Sequence, residues 1–123
     1  MIDTQDSQGF TPLHHAIFNH DINRVETLLR NGASPNLGSS FTLCTPLYVA
    51  AQQDQPEIIY LLWQFGADPN LANVFSLTPL MTAYALGCRR AVAALLYIGA
   101  DQRRRDCHGW RTYEFVPLVF DLI

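Results

Sequence analysis

The sequence predicts an all-α solenoid in which short helix pairs stack side by side, and three observations lead to this fold class. A Thr-Pro-Leu triplet recurs at spacings of 34 and 33 residues, beginning at Thr11, Thr45 and Thr78. A second marker, Gly-Ala followed by Ser or Asp, keeps the same register and begins at Gly32, Gly66 and Gly99. Apolar residues between the markers recur at the three- and four-residue spacing of one helix face. A fixed period of this length is typical of stacked repeats, because one helix pair cannot bury its own apolar face.

Each Thr-Pro predicts the start of the first helix of a pair. The Thr hydroxyl can cap amide groups of the first turn, and Pro at the first helical position gives up a hydrogen bond that would not form there. Turns around residues 20–21, 54–55 and 87–88 end these short helices. Ala16, Ala50 and Ala83 occupy equivalent positions one turn after the start. Their small side chains would let the helix of the neighbouring repeat approach closely.

A second helix follows each turn, and its predicted core face is built from equivalent residues in the three copies. These residues are Val25, Leu28 and Leu29, then Ile59, Leu62 and Trp63, then Val92, Leu95 and Leu96. Gly32, Gly66 and Gly99 then predict the helix ends, because Gly adopts the left-handed conformation of a helix stop without strain. A loop is expected after each one.

Length and composition predict one globular domain. The 123 residues are 49% hydrophobic and 15% charged, which argues against disorder. A net charge of -3 and a pI near 5.7 disfavour binding of nucleic acid or acidic membranes through bulk charge. No apolar run approaches the roughly 18 to 20 residues of a membrane helix. Cys44, Cys88 and Cys107 follow no pattern, and the first residues lack the shape of a signal peptide, so we expect a cytoplasmic or nuclear protein.

The segment Gly9-Phe10-Thr11-Pro12-Leu13-His14-His15-Ala16 resembles the signature of the ankyrin repeat family, and the resemblance covers about residues 6 to 116. It implies a solenoid of stacked helix pairs with hairpin fingers. The predicted repeats span about 6–38, 39–72 and 73–105, with a partial copy over 106–123. In that last copy Pro117 falls where a first helix should continue. The apolar tail 116–123 either packs as an irregular cap or awaits a partner.

Two departures from the family pattern affect the fingers. The usual Asp-x-x-Gly is present at 6–9 and 106–109, but the middle fingers read Ser-Phe-Thr-Leu at 40–43, with one residue inserted upstream, and Asn-Val-Phe-Ser at 73–76. The family's His after Thr-Pro-Leu, which usually ties neighbouring loops, survives as His14 and becomes Tyr48 and Met81. We therefore expect thinner bonding between loops at these two positions. The small number of repeats and the apolar C-terminal edge predict marginal stability for the isolated chain, with a gain on binding.

The resemblance implies that the variable surface is the concave side, formed by the fingers and the exposed face of the first helices. The predicted partner-binding residues are Phe10, Phe18, Phe41, Cys44, Val74, Phe75, Leu77 and Trp110. Gln52 and Ala85 are equivalent to Phe18 on the first helices. A contiguous exposed apolar patch usually marks an interaction site. The alternative is that several of these rings fold back between repeats and replace the missing Asp-x-x-Gly bonds.

Other chemistry has weaker support in the sequence. Arg103, Arg104 and Arg105, with Arg89 and Arg90 nearby, could receive a phosphate or an acidic peptide, although such runs are more often a solvated face. The Cys and His residues show no metal-ligand spacing, and no pairing of nucleophile and base or phosphate-binding glycine loop is present. We expect no catalysis, metal or cofactor. The resemblance also implies possible asparaginyl hydroxylation at Asn36 and Asn70, each with a Leu eight residues earlier. Both are otherwise expected to be buried loop residues that bond the backbone of the next finger.

The leading functional hypothesis is an adaptor or regulatory subunit that binds a peptide or a folded domain of another protein in the concave groove. Size and build resemble small ankyrin inhibitors of cyclin-dependent kinases, which suggests regulation of a protein kinase complex. The alternative is a substrate-recruiting adaptor of a ubiquitin ligase, which requires a further box after the repeats. An enzyme would require a site formed only at an interface with another chain.

Overall fold

The computed structural model describes residues 2–104, and all regular secondary structure within them is α-helical. Six helices follow one another in pairs: α1 (Pro12–Phe18) with α2 (Ile22–Arg30), α3 (Pro46–Gln52) with α4 (Pro56–Gln64), and α5 (Pro79–Leu86) with α6 (Arg89–Tyr97). The predicted all-α stack of helix pairs is confirmed. The predicted partial fourth copy, Trp110 and the apolar tail lie outside the described residues.

The first helix of each pair begins where the Thr-Pro signal predicts. Thr11, Thr45 and Thr78 have extended backbone angles, and a Pro occupies the first helical position after each of them. Each Thr hydroxyl accepts the N–H three residues later, at 3.2–3.3 Å. These bonds satisfy one of the amide groups that a helix start leaves without a partner.

The helices form two layers, and the core lies between them. The first helices α1, α3 and α5 pack side by side, and the second helices α2, α4 and α6 form the outer layer against them. Ala16, Ala50 and Ala83 are fully buried, as their predicted role in close helix approach requires. The largest fully buried apolar side chains are Leu13, Ile17, Val25, Leu47, Val49, Ile58, Ile59, Leu62, Leu80, Met81 and Leu95.

The predicted core face of the second helices is wrong at one position. Trp63 is 44% exposed and Leu96 is also exposed, whereas the equivalent Leu29 of the first repeat is buried. The buried stripe lies one residue earlier in α4 and α6, because Ile58 and Ala91 are buried where the first repeat has the exposed Arg24. Successive residues are turned by about 100° around a helix, so a stripe centred on Ile58 and Leu62 leaves position 63 at its edge.

Two hydrogen bonds of the turn between α3 and α4 also join neighbouring repeats. Gln55 Nε2 donates to the Ile17 carbonyl at 3.1 Å. Asp54 Oδ1 accepts the Ala91 N–H at 2.7 Å. This turn therefore contributes to the junctions with the repeats on both sides as well as reversing its own chain.

Candidate interaction surface

A short loop projects ahead of each first helix and is closed by one backbone hydrogen bond. The N–H of Asp6 donates to the Phe10 carbonyl at 3.0 Å, that of Ser39 to the Cys44 carbonyl at 3.0 Å, and that of Asn73 to the Leu77 carbonyl at 2.9 Å. We call residues 6–10, 39–44 and 73–77 fingers 1, 2 and 3. Finger 2 encloses one more residue than the others, at the predicted insertion.

Although the middle fingers lack the Asp-x-x-Gly pattern, finger 3 keeps both side-chain bonds that the pattern makes in finger 1, and finger 2 keeps one of them. In finger 1, Asp6 Oδ1 accepts the N–H groups of Gln8 and Phe10 at 2.9 and 3.0 Å. In finger 3, Asn73 Oδ1 accepts the N–H groups of Phe75 and Leu77 at 2.9 and 3.1 Å. Ser39 Oγ accepts the Cys44 N–H at 3.1 Å in finger 2. Short polar side chains thus close these turns, and aromatic rings are not needed to replace them.

His14 makes the bond between repeats that the sequence predicts for it. Its Nε2 donates to the Cys44 carbonyl of finger 2 at 2.7 Å, and its Nδ1 accepts the Thr11 N–H at 3.2 Å. Because a carbonyl only accepts and the Thr11 N–H only donates, the ring is neutral with its proton on Nε2. Burial lowers the pKa of His14.

The expected thinning of loop bonding at Tyr48 stays a prediction. Tyr48 is buried, and the polar side chains of Thr82 and Asn73, which belong to the next repeat, lie near its hydroxyl. Burial raises the pKa of this phenol. A longer side chain therefore reaches finger 3 where His14 reaches finger 2. Met81 bonds within its own repeat, where Sδ accepts the Thr78 N–H at 3.4 Å.

Backbone bonds hold the fingers side by side. The Ser40 N–H donates to the Gly9 carbonyl at 3.0 Å, and the Val74 N–H donates to the Thr42 carbonyl at 2.9 Å. The second bond brings together the tips of fingers 2 and 3, which carry four exposed apolar side chains. These are Phe41, Leu43, Val74 and Phe75, with 71%, 50%, 48% and 55% of their surfaces exposed. We call these four residues the finger patch.

The other predicted partner-binding residues are less exposed. The half-buried ring of Phe10 packs edge-on against Phe18, with 5.1 Å between ring centroids. Cys44 and Leu77 are half-buried beneath the tips of fingers 2 and 3. Trp110 lies outside the described residues. Among the described members of the predicted set, Phe41, Val74 and Phe75 are therefore the most exposed.

Sequence reasoning missed several exposed apolar residues. Leu43 belongs to the finger patch and has a positive φ of 57° at the position equivalent to Gly9. The residue inserted upstream was the available signal, because it shifts the turn by one residue. A second group, Tyr60, Trp63, Leu96 and Tyr97, is exposed on the outer helices α4 and α6, where the Tyr60 and Tyr97 rings meet edge-on at 5.9 Å.

Charge is sparse around the fingers and is paired where it occurs. Asp6, at the base of finger 1, lies 2.6 Å from His15 Nε2. Bonding from the Phe10 N–H, followed by His15, lowers the pKa of the Asp6 carboxyl. On the outer layer, Arg90 Nη2 lies 3.2 Å from Glu57 Oε1. Arg89, Arg103 and Arg104 are exposed, and Arg105 lies outside the described residues.

The described residues hold no group of three or more His, Cys, Asp or Glu side chains that could bind a metal ion. Cys88 is half-buried, its Sγ lies 3.7 Å from the Gln52 carbonyl, and burial raises its pKa. None of the helices in residues 2–104 is both long and apolar enough to cross a membrane.

Asn36 and Asn70 belong to a ladder that joins the loops after the second helices. Asn36 Oδ1 accepts the Asp68 N–H, and Asn70 Oδ1 accepts the Asp101 N–H, both at 2.7 Å. Asp3, which the sequence analysis missed, makes the equivalent bond to the Ser34 N–H at 3.1 Å, and its spacing of 33 residues from Asn36 was the available signal. The expected bonding to a neighbouring backbone is found, but the expected partner, the next finger, is wrong, because Asp68 and Asp101 lie in the loops after the second helices. The expected burial is wrong, because Asn36 is exposed and Asn70 is half-buried.

Comparison with known proteins gives matches over most of the described chain. Residues 38–106 match the family model for ankyrin repeats in three copies, and residues 8–40 match the model for a single ankyrin repeat. Ankyrin repeat and SOCS box protein 3 of Bos taurus is 33% identical over 64% of this chain. Glycerophosphocholine phosphodiesterase gde1 of Schizosaccharomyces pombe is 34% identical over 73% of it. Transient receptor potential cation channel subfamily A member 1 of Homo sapiens is 34% identical over 77% of it. The matched segment spans 15%, 8% and 8% of these relatives, respectively.

Proposed function

Since the chain belongs to the ankyrin repeat family, we propose that it is an adaptor or regulatory subunit, without catalytic activity of its own, that binds a partner protein through the finger patch. The observation that carries this proposal is the exposure of Phe41, Leu43, Val74 and Phe75 on two fingers joined by the bond from Val74 to Thr42. Removing apolar surface from water favours association by about 25 cal/mol per Å². Phe side chains supply large contact areas with few rotatable bonds.

The fingers support binding because they are held in place before a partner arrives. Asn73 and Ser39 close their own turns, and the Tyr48 hydroxyl of the second repeat lies near Asn73 of finger 3. Ordering a flexible loop costs free energy on association, so fixed fingers retain more of the energy of burial as affinity. The Phe10 and Phe18 pair, Cys44 and Leu77 extend the proposed surface toward the first helices, and Trp110 is proposed to extend it beyond the described residues.

The test is affinity capture from the cells that express the protein, followed by mass spectrometry. Wild type is compared with a variant carrying Phe41→Ser and Phe75→Ser, and with a matched control, Tyr97→Ser, that removes an exposed aromatic from the outer layer. Circular dichroism establishes that all three are folded. A partner retained by wild type and Tyr97→Ser but lost by the finger variant supports the proposal.

The opposite pattern would place binding on the outer helices and overturn the role of the finger patch. A partner retained by both variants would also overturn it. Such a result would direct attention to a second contact at the apolar tail 116–123, which the sequence predicts, or to the exposed Arg103 and Arg104. Work in both cytoplasmic and nuclear extracts also tests the proposed localisation.

The alternative function, a substrate-recruiting adaptor of a ubiquitin ligase, is favoured by one observation. The similar ankyrin repeat and SOCS box protein 3 is named for a SOCS box in addition to its repeats, and this chain covers only 15% of it. A captured partner whose ubiquitination in cells falls when the finger variant replaces wild type would favour this alternative. A captured kinase complex with changed activity would favour the predicted kinase regulation.

Hydroxylation of Asn36 or Asn70 stays a prediction beside these proposals. The Asn36 side chain is bonded at both ends, since its Nδ2 donates to the Gly66 carbonyl at 3.1 Å and its Oδ1 accepts the Asp68 N–H. Intact-mass spectrometry of protein from its native cells tests it. A strictly unmodified mass contradicts it.

A further inference from the structure

The charges of this chain are separated by layer. Segments 7–20, 35–53 and 69–88 contain no Asp, Glu, Lys or Arg, and they hold α1, α3 and α5 together with all of fingers 2 and 3. In residues 7–104, every charged residue lies on the outer helices, on the turn that leads into them, or on the loop that follows them. The only carboxylate of the described fingers is Asp6, which is paired with His15. Among the described residues, the surface that carries the finger patch therefore holds no acidic or basic side chain other than Asp6 and the histidines.

Several polar groups near the finger patch are already used within the molecule. Ser39 Oγ accepts the Cys44 N–H, Asn73 Oδ1 accepts two N–H groups, and Ser40 Oγ donates to Gln5 Oε1 at 2.8 Å. The Ser40 and Val74 N–H groups bond the preceding finger. These groups would have to break a bond within the molecule before they could replace the water that a charged partner loses.

A charged group brought against this surface would lose hydration without meeting an opposite charge. Losing this hydration costs free energy, whereas an apolar side chain has no hydrogen bonds to water that the surface would need to replace. An uncharged surface is therefore best matched by a partner that also carries no charge at the contact.

We infer that the finger patch binds an uncharged, apolar peptide segment of its partner and discriminates against segments that carry charge at their centre. This inference rests on the proposed function, since it names the partner of the same surface. It predicts affinity that comes from apolar burial and is almost independent of ionic strength.

The experiment is selection of a random peptide library, displayed on phage, against the immobilised full chain. Peptides that bind wild type but not the variant with Phe41→Ser and Phe75→Ser are synthesised, and their affinities are measured by fluorescence polarisation. Each is remade with its central apolar residue replaced by Glu or, as the matched uncharged control, by Gln.

We expect the finger-dependent peptides to be apolar and uncharged at their centre. Their Kd should change by less than about twofold between roughly 0.05 and 0.5 M salt. The Glu peptide should bind roughly tenfold more weakly than the Gln peptide.

Three results would overturn the inference. The first is finger-dependent peptides that are charged and salt-sensitive, which would leave the proposed function intact. The second is equal binding of the Glu and Gln peptides. The third is failure to recover any finger-dependent peptide, because the inference names a linear segment; finger-dependent capture of a folded protein would then still uphold the proposed function. Absence of both finger-dependent capture and finger-dependent peptide binding would overturn the inference and the proposed function together.

Discussion

Two glycines with positive φ differ in whether an added side chain would also meet a neighbouring atom. A Cβ on Gly66, at φ 96°, would meet nothing within 4 Å, whereas a Cβ on Gly9, at φ 84°, would lie 2.7 Å from the Cβ and backbone nitrogen of Ser40. We expect Gly66→Ala to lower the free energy of unfolding by about 1 kcal/mol, through backbone strain alone. Gly9→Ala should cost more, because finger 2 must also move. Urea denaturation measures both, and equal losses would contradict this prediction.

His14 should make stability depend on pH. Its pKa is lowered in the folded protein from an ordinary value of 6.5, so the unfolded chain binds the proton first as the pH falls. The stability contributed by neutral His14 is present above pH 6.5 and is lost as the pH falls from there toward the lowered pKa. We expect a lower free energy of unfolding near pH 5 than near pH 7.

The matched variants are His14→Tyr, which places the residue of the second repeat at this position, and His20→Asn on an exposed turn. His14→Tyr should flatten the pH dependence, and His20→Asn should retain it. Denaturation midpoints across this range provide the measurement. A slope that survives His14→Tyr would show that another group is responsible.

At the scale of the finger, Asn73 shows how one element retains its shape after its family signature has changed. Its Oδ1 accepts two N–H groups, as Asp6 does in finger 1. We expect Asn73→Ala to lower the free energy of unfolding by about 1–2 kcal/mol, because two N–H groups lose their acceptor. Asn73→Asp should leave the free energy of unfolding unchanged or raise it slightly, since a carboxylate is the stronger acceptor. A loss for Asp as large as that for Ala, by thermal denaturation, would contradict this reading of the turn.

At the scale of the helix, adjacent residues of α4 test where the core ends. Leu62 is fully buried and Trp63 is largely exposed. We expect Leu62→Ala to cost about 2–5 kcal/mol, because it opens a cavity between the layers. Trp63→Ala should cost well under half as much, even though Trp is the larger side chain. If Trp63→Ala lowered the free energy of unfolding more than Leu62→Ala does, Trp63 would belong to the core.

The helices could be predicted more completely than the fingers. Thr-Pro starts and glycine stops act through a few neighbouring residues, so the sequence directly indicates the starts of α1, α3 and α5 and the ends of α2, α4 and α6. The exposure of Trp63 could not be predicted, because the first repeat has Arg24 where α4 has the apolar Ile58. This exchange moves the buried stripe of α4 one residue earlier than in α2. Finger patch residues Phe41, Val74 and Phe75 were predicted from register. Leu43 was missed because the inserted residue changes which side chain lies at the turn.

At the scale of the whole molecule, stability should vary along the stack. Helix α3 packs against first helices on both sides, whereas α1 packs against a first helix on one side among the described residues. In a linear stack, a repeat covered on both sides opens less readily than one covered on one side. We therefore expect slower hydrogen exchange for the amides of α3 and α4 than for those of α1 and α2. Mass spectrometry of exchanged peptides measures this, and uniform protection across the four helices would contradict it.

The separation of charge by layer also determines how a partner finds this molecule. Attraction between oppositely charged surfaces can raise association rates to about 10⁸–10⁹ M⁻¹s⁻¹, but a neutral surface provides no such steering. A partner that meets the finger patch should associate at about 10⁵–10⁶ M⁻¹s⁻¹, as diffusion and orientation alone allow. Differences in affinity among partners would then arise from how slowly each one leaves. We therefore expect the finger patch to distinguish its partners by how long each one stays bound.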